Sequence, residues 1–204
     1  MATVIDVASY VELKRRLPVE AFFIDTNIVI AAIDPFGASL DEPYKTKYTE
    51  IQPVLQMLRS AQQVKCFYSS IVAWEYYSHI RWMFFKTQNQ GVKFSTGQFK
   101  ALREASAEFL HGWEGQLKAF NKAFGKRFVF FEPSAYSKDW FKAYSGTEVD
   151  LGDAMIVHQV MGASESQRCV FSNDGDFLKF DEQFYLLTTN RKIIEDARKK
   201  GNLF

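Results

Sequence analysis

The sequence predicts an α/β fold in which a central parallel sheet of about five strands is flanked by helices. Short apolar runs rich in β-forming residues recur along the chain, and longer stretches with helical periodicity separate them. Strands that alternate with helices are typical of parallel sheets covered on both faces. The 204 residues are 47% hydrophobic and 16% aromatic, which supplies enough apolar surface for one such core.

Five strands and six helices are predicted from these patterns. The strands lie at 21–25, 65–69, 127–132, 168–172 and 184–188. The helices cover about 8–16, 46–62, 71–87, 97–124, 151–162 and 190–200. Two consecutive helices stand between the second and third strands, where they elaborate the sheet. Because no Pro, Gly or Ser-rich linker bounds this stretch, we expect one domain, 1–204, with a helical insert at about 84–125.

Charge is nearly balanced over the chain but is unevenly distributed. The 25 basic and 24 acidic residues exclude the strong positive charge of proteins that bind nucleic acid by charge alone. Residues 86–142 nevertheless contain ten basic residues against five acidic ones. We therefore expect one part of the surface to attract phosphate groups while another collects cations.

The cysteines and the N-terminal segment bear on the cellular compartment. Cys66 and Cys169 lie far apart inside apolar runs and form neither a disulfide framework nor a CxxC metal pair, so we expect buried thiols. The N-terminal segment lacks the charge order of a secretory signal, and no apolar stretch approaches the roughly 18 residues that cross a bilayer. These features predict a cytoplasmic protein without a membrane partner.

Acidic side chains are concentrated where the predicted strands end. In an open parallel sheet, ligands bind beyond the carboxyl ends of the strands. Four separate segments bring acids to this edge, namely Asp25 after the first strand, Glu75 after the second, Asp150 and Asp153 before the fourth, and Asp174 and Asp176 after it. The sequence therefore predicts that carboxylates converge at one edge of the sheet.

Each of these acids, taken alone, has a simpler explanation. Asp25 suits a helix N-cap or an Asx turn, and Glu75 suits a solvated helix face. Asp150 and Asp153 suit the start of a helix, and residues 173–176 suit an ordinary turn. Several carboxylates at one site repel one another, however, and protons or cations must offset that repulsion. Oxygen ligands without Cys or His favour one or two Mg²⁺ or Mn²⁺ ions, which can activate water for phosphodiester hydrolysis.

Four segments carry these acids in a recognisable order. They are FFIDTNIVIAAI at 22–33, SSIVAWEYY at 69–77, DLGDAMIVHQV at 150–160 and VFSNDGDFLKF at 170–180. Together they resemble the motifs of the PIN-domain nucleases, a family that includes the toxin ribonucleases of toxin-antitoxin pairs. The first and last motifs are fairly specific, whereas the segment around Glu75 is much less so. The resemblance covers both ends of the predicted domain.

The resemblance implies a role for each position that matches a motif. Four acids would be the metal ligands and catalytic groups: Asp25, Glu75, Asp153 and Asp174. Three neighbouring polar side chains would orient the acids or a water: Thr26, Asn27 and Ser172. Asp176 would be an additional or substitute ligand, and Asp150 would be either a further ligand or only the helix cap.

The function implied by the resemblance is that of a metal-dependent endoribonuclease. Such an enzyme would hydrolyse phosphodiester bonds of single-stranded or structured RNA with Mg²⁺ or Mn²⁺. A protein similar to the toxin members would also have an antitoxin partner and form a homodimer. The stretch between Glu75 and Asp150 is longer than in the small toxins, which affects the expected antitoxin partner more than the nuclease chemistry.

Other functions share parts of this pattern. A catalytically weak PIN domain would bind RNA or protein without cutting, but all four acidic positions are filled here. A DNA-directed metal nuclease uses the same carboxylate chemistry and would need more acids and a helical element that grips DNA. An aspartate-nucleophile phosphatase expects a second Asp where this chain has Asn27. Dinucleotide enzymes, P-loop ATPases and hydrolase-fold esterases are disfavoured because GxGxxG, GxxxxGK and nucleophile-elbow motifs are missing from the sequence.

Overall fold

The structure, a computed structural model, describes residues 2–13, 19–33, 42–60, 64–69, 71–76, 78–79, 128–131 and 148–204. The strands in these ranges are β1 (Thr3–Asp6), β2 (Ala21–Ile24), β3 (Lys65–Ser69), β4 (Phe128–Phe131), β5 (Arg168–Phe171) and β6 (Tyr185–Thr188). The helices are α1 (Val7–Leu13), α2 (Thr26–Ile33), α3 (Glu42–Ser60), α4 (71–76, with 78–79 also helical), α5 (Leu151–Gly162) and α6 (Arg191–Lys200). A 3₁₀ turn covers Asp176–Lys179.

The described strands form one parallel sheet in the order β1-β6-β5-β2-β3-β4. β2 lies near the centre, where Phe22 is opposite Cys66 on β3 and Cys169 on β5. All four residues of β2 are buried, as expected for an apolar strand covered on both faces. The predicted α/β fold with a parallel sheet flanked by helices is therefore confirmed.

The five predicted strands are all found, each within one residue of its predicted ends. Three elements in the described residues were not predicted, namely β1, α2 and the 3₁₀ turn. The sheet consequently has six strands in the described part of the chain, and β1 pairs with β6 at one edge. The predicted helix at 97–124, the insert at 84–125 and the second half of the helix at 71–87 lie outside the described residues.

Two further features of the described residues bear on the sequence expectations. Cys66 and Cys169 are buried free thiols, as predicted. Among the described helices, none combines the length and apolar character that crossing a membrane requires.

The direction in which the chain leaves β2 and β5 places a crevice between them. From β2 the chain proceeds to β3 and β4 on one side, whereas β5 lies on the other side of β2 and is followed by β6. In an open parallel sheet, connections that depart to opposite sides open a ligand-binding crevice at the carboxyl ends of the two strands. The residues that follow β2 and β5, Asp25 and Ser172, therefore stand at the expected ligand position.

Candidate metal centre

Asp25 is the centre of a small network of buried polar groups. Its side chain is 4% exposed and accepts three hydrogen bonds. The Thr26 backbone N–H donates to Oδ1 at 2.5 Å, and the Asn27 amide and the Ser172 hydroxyl each donate to Oδ2 at 2.5 Å. Burial and, after it, the charges of Glu75 and Asp174 raise the pKa of Asp25 from 3.8 to about 7, although two of these hydrogen bonds favour the ionised form.

Ser172 and Asn27 link the end of β2 to the end of β5. The Ser172 side chain is fully buried, and its Oγ accepts from the Asn27 amide at 3.0 Å and from the Asp174 backbone N–H at 2.9 Å. The side-chain Oδ1 of Asn27 accepts from the backbone N–H of Asn173 at 3.1 Å. These contacts hold the loop after β5 against the start of α2, so the two segments that carry acids keep a defined separation.

Glu75 on α4 approaches the same network from β3. Its Oε2 accepts a hydrogen bond from the Thr26 hydroxyl, and its Oε1 lies over Gly152 at the start of α5. Burial raises the pKa of Glu75, the Thr26 hydrogen bond lowers it, and the charge of Asp150 raises it. Thr26 therefore donates hydrogen bonds to two acids, because its backbone N–H donates to Asp25 while its hydroxyl donates to Glu75.

Asp150 and Asp153 occupy different environments although both belong to the start of α5. Asp150 is exposed and is the N-cap residue, since its side chain accepts from the Gly152 backbone N–H at 2.7 Å. Asp153 is in the first turn and is 9% exposed. The pKa of Asp153 is raised from 3.8 to about 8, first by burial and then by the charges of four neighbouring aspartates, Asp25, Asp174, Asp150 and Asp176.

Asp174 and Asp176 complete the acidic cluster from the loop after β5. One carboxylate oxygen from each of Asp153, Asp174 and Asp176 lies within 4.8 Å of the others. Asp174 is exposed, and its Oδ1 accepts from the Asp176 backbone N–H at 2.9 Å. The Asp176 carboxylate pairs with Lys179 Nζ at 2.7 Å, and this ammonium also donates to the carbonyl of Glu148 at 3.1 Å.

Asn173 is a structural member of the site that the sequence interpretation missed. Its Oδ1 accepts from the Thr188 hydroxyl at 2.9 Å and from the Thr189 backbone N–H and hydroxyl at 2.8 and 3.0 Å. Its backbone carbonyl accepts from the Asn190 amide at 2.9 Å. The loop that carries Asp174 is thereby attached to the end of β6. The sequence feature that could have indicated this role is the position of Asn173 and Thr189 directly after two predicted strands.

The six acids named from the sequence lie at one edge of the sheet, but they divide into groups. Asp153, Asp174 and Asp176 are close enough to share one ion. Asp25 lies within electrostatic reach of both Asp153 and Glu75, whereas Asp150 caps α5. All donors are oxygens, and this set fits a hard divalent cation such as Mg²⁺ or Mn²⁺. The burial of two repelling aspartates, Asp25 and Asp153, is the observation that fits a bound cation.

Comparisons with known proteins give little direct information about this chain. No family model matches it, and the curated proteins contain no match. One similar solved structure is VapBC2 from Rickettsia felis bound to a DNA fragment from their promoter, with a TM-score of 0.46 and 14% sequence identity. That match covers 82% of this chain and 98% of the other chain.

Proposed function

We propose that this chain is a PIN-type endoribonuclease that hydrolyses RNA phosphodiester bonds with Mg²⁺ or Mn²⁺. The observation that carries the proposal is the convergence of buried Asp25 and Asp153 with Asp174 at the crevice between β2 and β5. Glu75 reaches the same place from α4. These four acids are the proposed metal ligands and catalytic groups.

The electrostatics of the site support this proposal. Without a cation, the buried carboxyl groups of Asp25 and Asp153 would be favoured in their protonated, neutral forms. Their pKa values of about 7 and 8 indicate how strongly the ionised forms are disfavoured. A divalent ion would offset the same repulsion and allow both carboxylates to ionise at neutral pH. Asp176 is proposed as an additional ligand, although its ion pair with Lys179 competes with binding of a metal ion. Asp150 is proposed mainly as the helix cap.

The residues of this chain would divide the work of binding and orientation. A bound Mg²⁺ or Mn²⁺ ion would polarise the phosphodiester, lower the pKa of an attacking water and stabilise the leaving oxygen. Ser172 and Asn27 hold the carboxylate of Asp25 in one orientation through their hydrogen bonds. Thr26 holds Glu75. The exposed position of Asp174 leaves its carboxylate accessible at the edge where a substrate would arrive.

The choice of RNA and the cellular setting are proposed from the motif resemblance. Single-stranded or exposed RNA is the proposed substrate class, and unpaired strands offer phosphodiesters that a site at a sheet edge can reach. An antitoxin protein and a homodimeric state are proposed on the same resemblance, whereas the cytoplasmic location is proposed from the sequence features described above. These proposals are independent of the metal chemistry, which would stand even if they were wrong.

A cleavage assay with matched substrates tests the proposed function. Labelled single-stranded RNA and DNA of the same sequence are incubated with the purified chain in Mn²⁺, Mg²⁺ or EDTA. Asp25→Asn tests the site, and Asp181→Asn is the control because Asp181 is an exposed aspartate outside the acidic cluster. We expect metal-dependent RNA cleavage by the wild type and by Asp181→Asn, and none by Asp25→Asn.

Other outcomes of this assay each point elsewhere. Cleavage of DNA in preference to RNA would favour a DNA-directed nuclease with the same ligands. Metal-dependent RNA binding without cleavage would favour a binding module. Cleavage in EDTA, or cleavage by Asp25→Asn at the wild-type rate, would contradict the proposed chemistry.

A further inference from the structure

Gly152 is the second residue of α5, and its Cα faces the carboxylate of Glu75. A Cβ built on Gly152 would lie 3.0 Å from Asp150 Oδ1 and would overlap Oε1 of Glu75. Real Cβ atoms essentially never come as close to another atom as this Cβ would come to Glu75 Oε1, and the contact with Asp150 would also be unusually tight. The space next to this Cα is therefore already filled by the carboxylate of Glu75.

Backbone conformation does not explain a glycine at this position. Among the described glycines only Gly201 has a positive φ angle, so the backbone of Gly152 is accessible to any residue. Glycine is also a poor helix former, and alanine would favour α5 more. The remaining reason for a glycine is the room that it leaves for a neighbouring side chain.

The two oxygens of Glu75 are held by different elements. Oε2 accepts from the Thr26 hydroxyl at the start of α2, whereas Oε1 rests over Gly152 at the start of α5. Glu75 itself is on α4. Three segments that follow different strands therefore meet at one carboxylate. Gly152 makes room for this carboxylate because it has no side chain.

We propose that Gly152 is a positioning residue, which admits the Glu75 carboxylate between α2 and α5 and so sets where this acid meets the metal. The proposal rests on the proposed function, because Glu75 is a metal ligand only there. It extends that function because Gly152, which has no side chain, would affect metal affinity through the position of Glu75. The acid at position 75 and the glycine at position 152 should then depend on each other.

The variant Gly152→Ala tests this assignment, with Gly162→Ala as the matched control. Gly162 belongs to the same helix, and a Cβ built there meets nothing within 4 Å. The displaced atom is the end of a flexible side chain, so we expect Gly152→Ala to keep its fold and its Tm. We expect its Kd for Mn²⁺ to rise by about tenfold or more, since moving a ligand by altering its support has effects of that size. Gly162→Ala should bind Mn²⁺ as the wild type does.

A second acid variant separates positioning from a general structural effect. Glu75→Asp shortens the side chain by one methylene and withdraws the carboxylate from the Cβ of a residue at 152. Adding Gly152→Ala to Glu75→Asp should therefore change the Kd for Mn²⁺ by less than about twofold. An equal loss of affinity in both backgrounds would overturn the proposal, because Gly152 would then act independently of Glu75.

Crystal structures of the variants provide a readout that does not require metal binding. In metal-free Gly152→Ala, we expect the Glu75 carboxylate to move away from α5 and to lose its contact with the Thr26 hydroxyl. An unmoved carboxylate would overturn the proposal whether or not the wild type binds Mn²⁺. Failure of the wild type to bind Mn²⁺ would instead contradict the proposed function, and the two failures are thus distinguishable.

Discussion

Replacing Asp25 by Asn should stabilise the metal-free protein at alkaline pH although it removes a group that makes three hydrogen bonds. The wild-type side chain is buried, and its pKa is raised from 3.8 to about 7 by burial first and by neighbouring acids next. In the unfolded chain the same carboxyl ionises near pH 4. Folding at pH 8 therefore forces a charge into a site that disfavours it, and Asn removes that charge.

The size of this effect follows from the pKa difference. Each pKa unit corresponds to about 1.4 kcal/mol, so the ionised Asp25 lowers the free energy of unfolding by roughly 4 kcal/mol at pH 8. An amide at position 25 has one acceptor oxygen, so it cannot keep both the Thr26 bond to one oxygen and the bonds from Asn27 and Ser172 to the other, and the loss should cost about 1–2 kcal/mol. The net gain expected for metal-free Asp25→Asn is about 2–3 kcal/mol at pH 8.

The same pKa values determine how the gain changes with pH. Between the unfolded and the folded pKa, the folded wild type binds more protons than the unfolded chain, so its stability falls as the pH rises through this window. At pH 5 the penalty on Asp25 is only about 1–2 kcal/mol and nearly equals the cost of the lost hydrogen bonds. The advantage of Asp25→Asn should therefore shrink to near zero at pH 5.

Urea unfolding in EDTA at pH 5 and pH 8 measures both values, and loss of the Asp25 charge, which raises the pKa of Asp153, acts in the same direction at pH 8. A parallel series with Mn²⁺ should raise the stability of the wild type and leave Asp25→Asn almost unchanged. A metal-free Asp25→Asn protein less stable than the wild type at pH 8 would refute this prediction. A stability difference between the two proteins that does not depend on pH would refute it as well.

Three further substitutions test individual contacts of the site. Ser172→Ala removes the hydroxyl that donates to Asp25 and accepts from two N–H groups, and should lower the free energy of unfolding by about 2 kcal/mol in urea titrations. Asn173→Ala leaves three donors at the end of β6 without their acceptor, and should cost about 2–3 kcal/mol in the same experiment. Lys179→Met releases the carboxylate of Asp176 and should tighten Mn²⁺ binding, measured by calorimetry, by up to about fivefold, since exposed ion pairs are worth about 0.2–1 kcal/mol.

Each of these three predictions has an outcome that would contradict it. A urea midpoint unchanged by Ser172→Ala or Asn173→Ala would mean that the corresponding hydrogen bonds do not stabilise the fold. For Lys179→Met, the control is Lys199→Met, because Lys199 also pairs with an aspartate three residues earlier but lies outside the acidic cluster. Equal effects of both lysine variants on Mn²⁺ affinity would argue for general charge rather than for release of Asp176.

The central strands could be predicted because buried parallel strands are short apolar runs of β-forming residues, as AFFI in β2 illustrates. β1 could not be separated from α1, since the helix begins at Val7 directly after the strand ends at Asp6 and no turn residue stands between them. α2 was missed because its sequence, TNIVIAAI, contains several β-branched residues with low helix propensity. In the structure α2 is helical and packs against α3, a contact that the sequence does not reveal.

The acids of the site could be proposed from the sequence because the carboxyl ends of parallel strands share one edge. Their grouping could not be predicted, since it depends on distances between segments that are far apart in sequence. The contact of Thr26 with Glu75 and the pairing of Lys179 with Asp176 are of this kind. The role of Gly152 was also invisible, because a glycine gives no sign of the side chain that occupies its space.

Anomalous X-ray diffraction from crystals grown with Mn²⁺ tests most directly whether the acidic cluster is a metal centre. We expect an anomalous peak about 2.1 Å from carboxylate oxygens of Asp153 and Asp174, close to Asp25. The peak should be absent from crystals of Asp25→Asn or strongly reduced in them. A folded wild-type protein with no anomalous peak at the cluster under saturating Mn²⁺ would contradict the account.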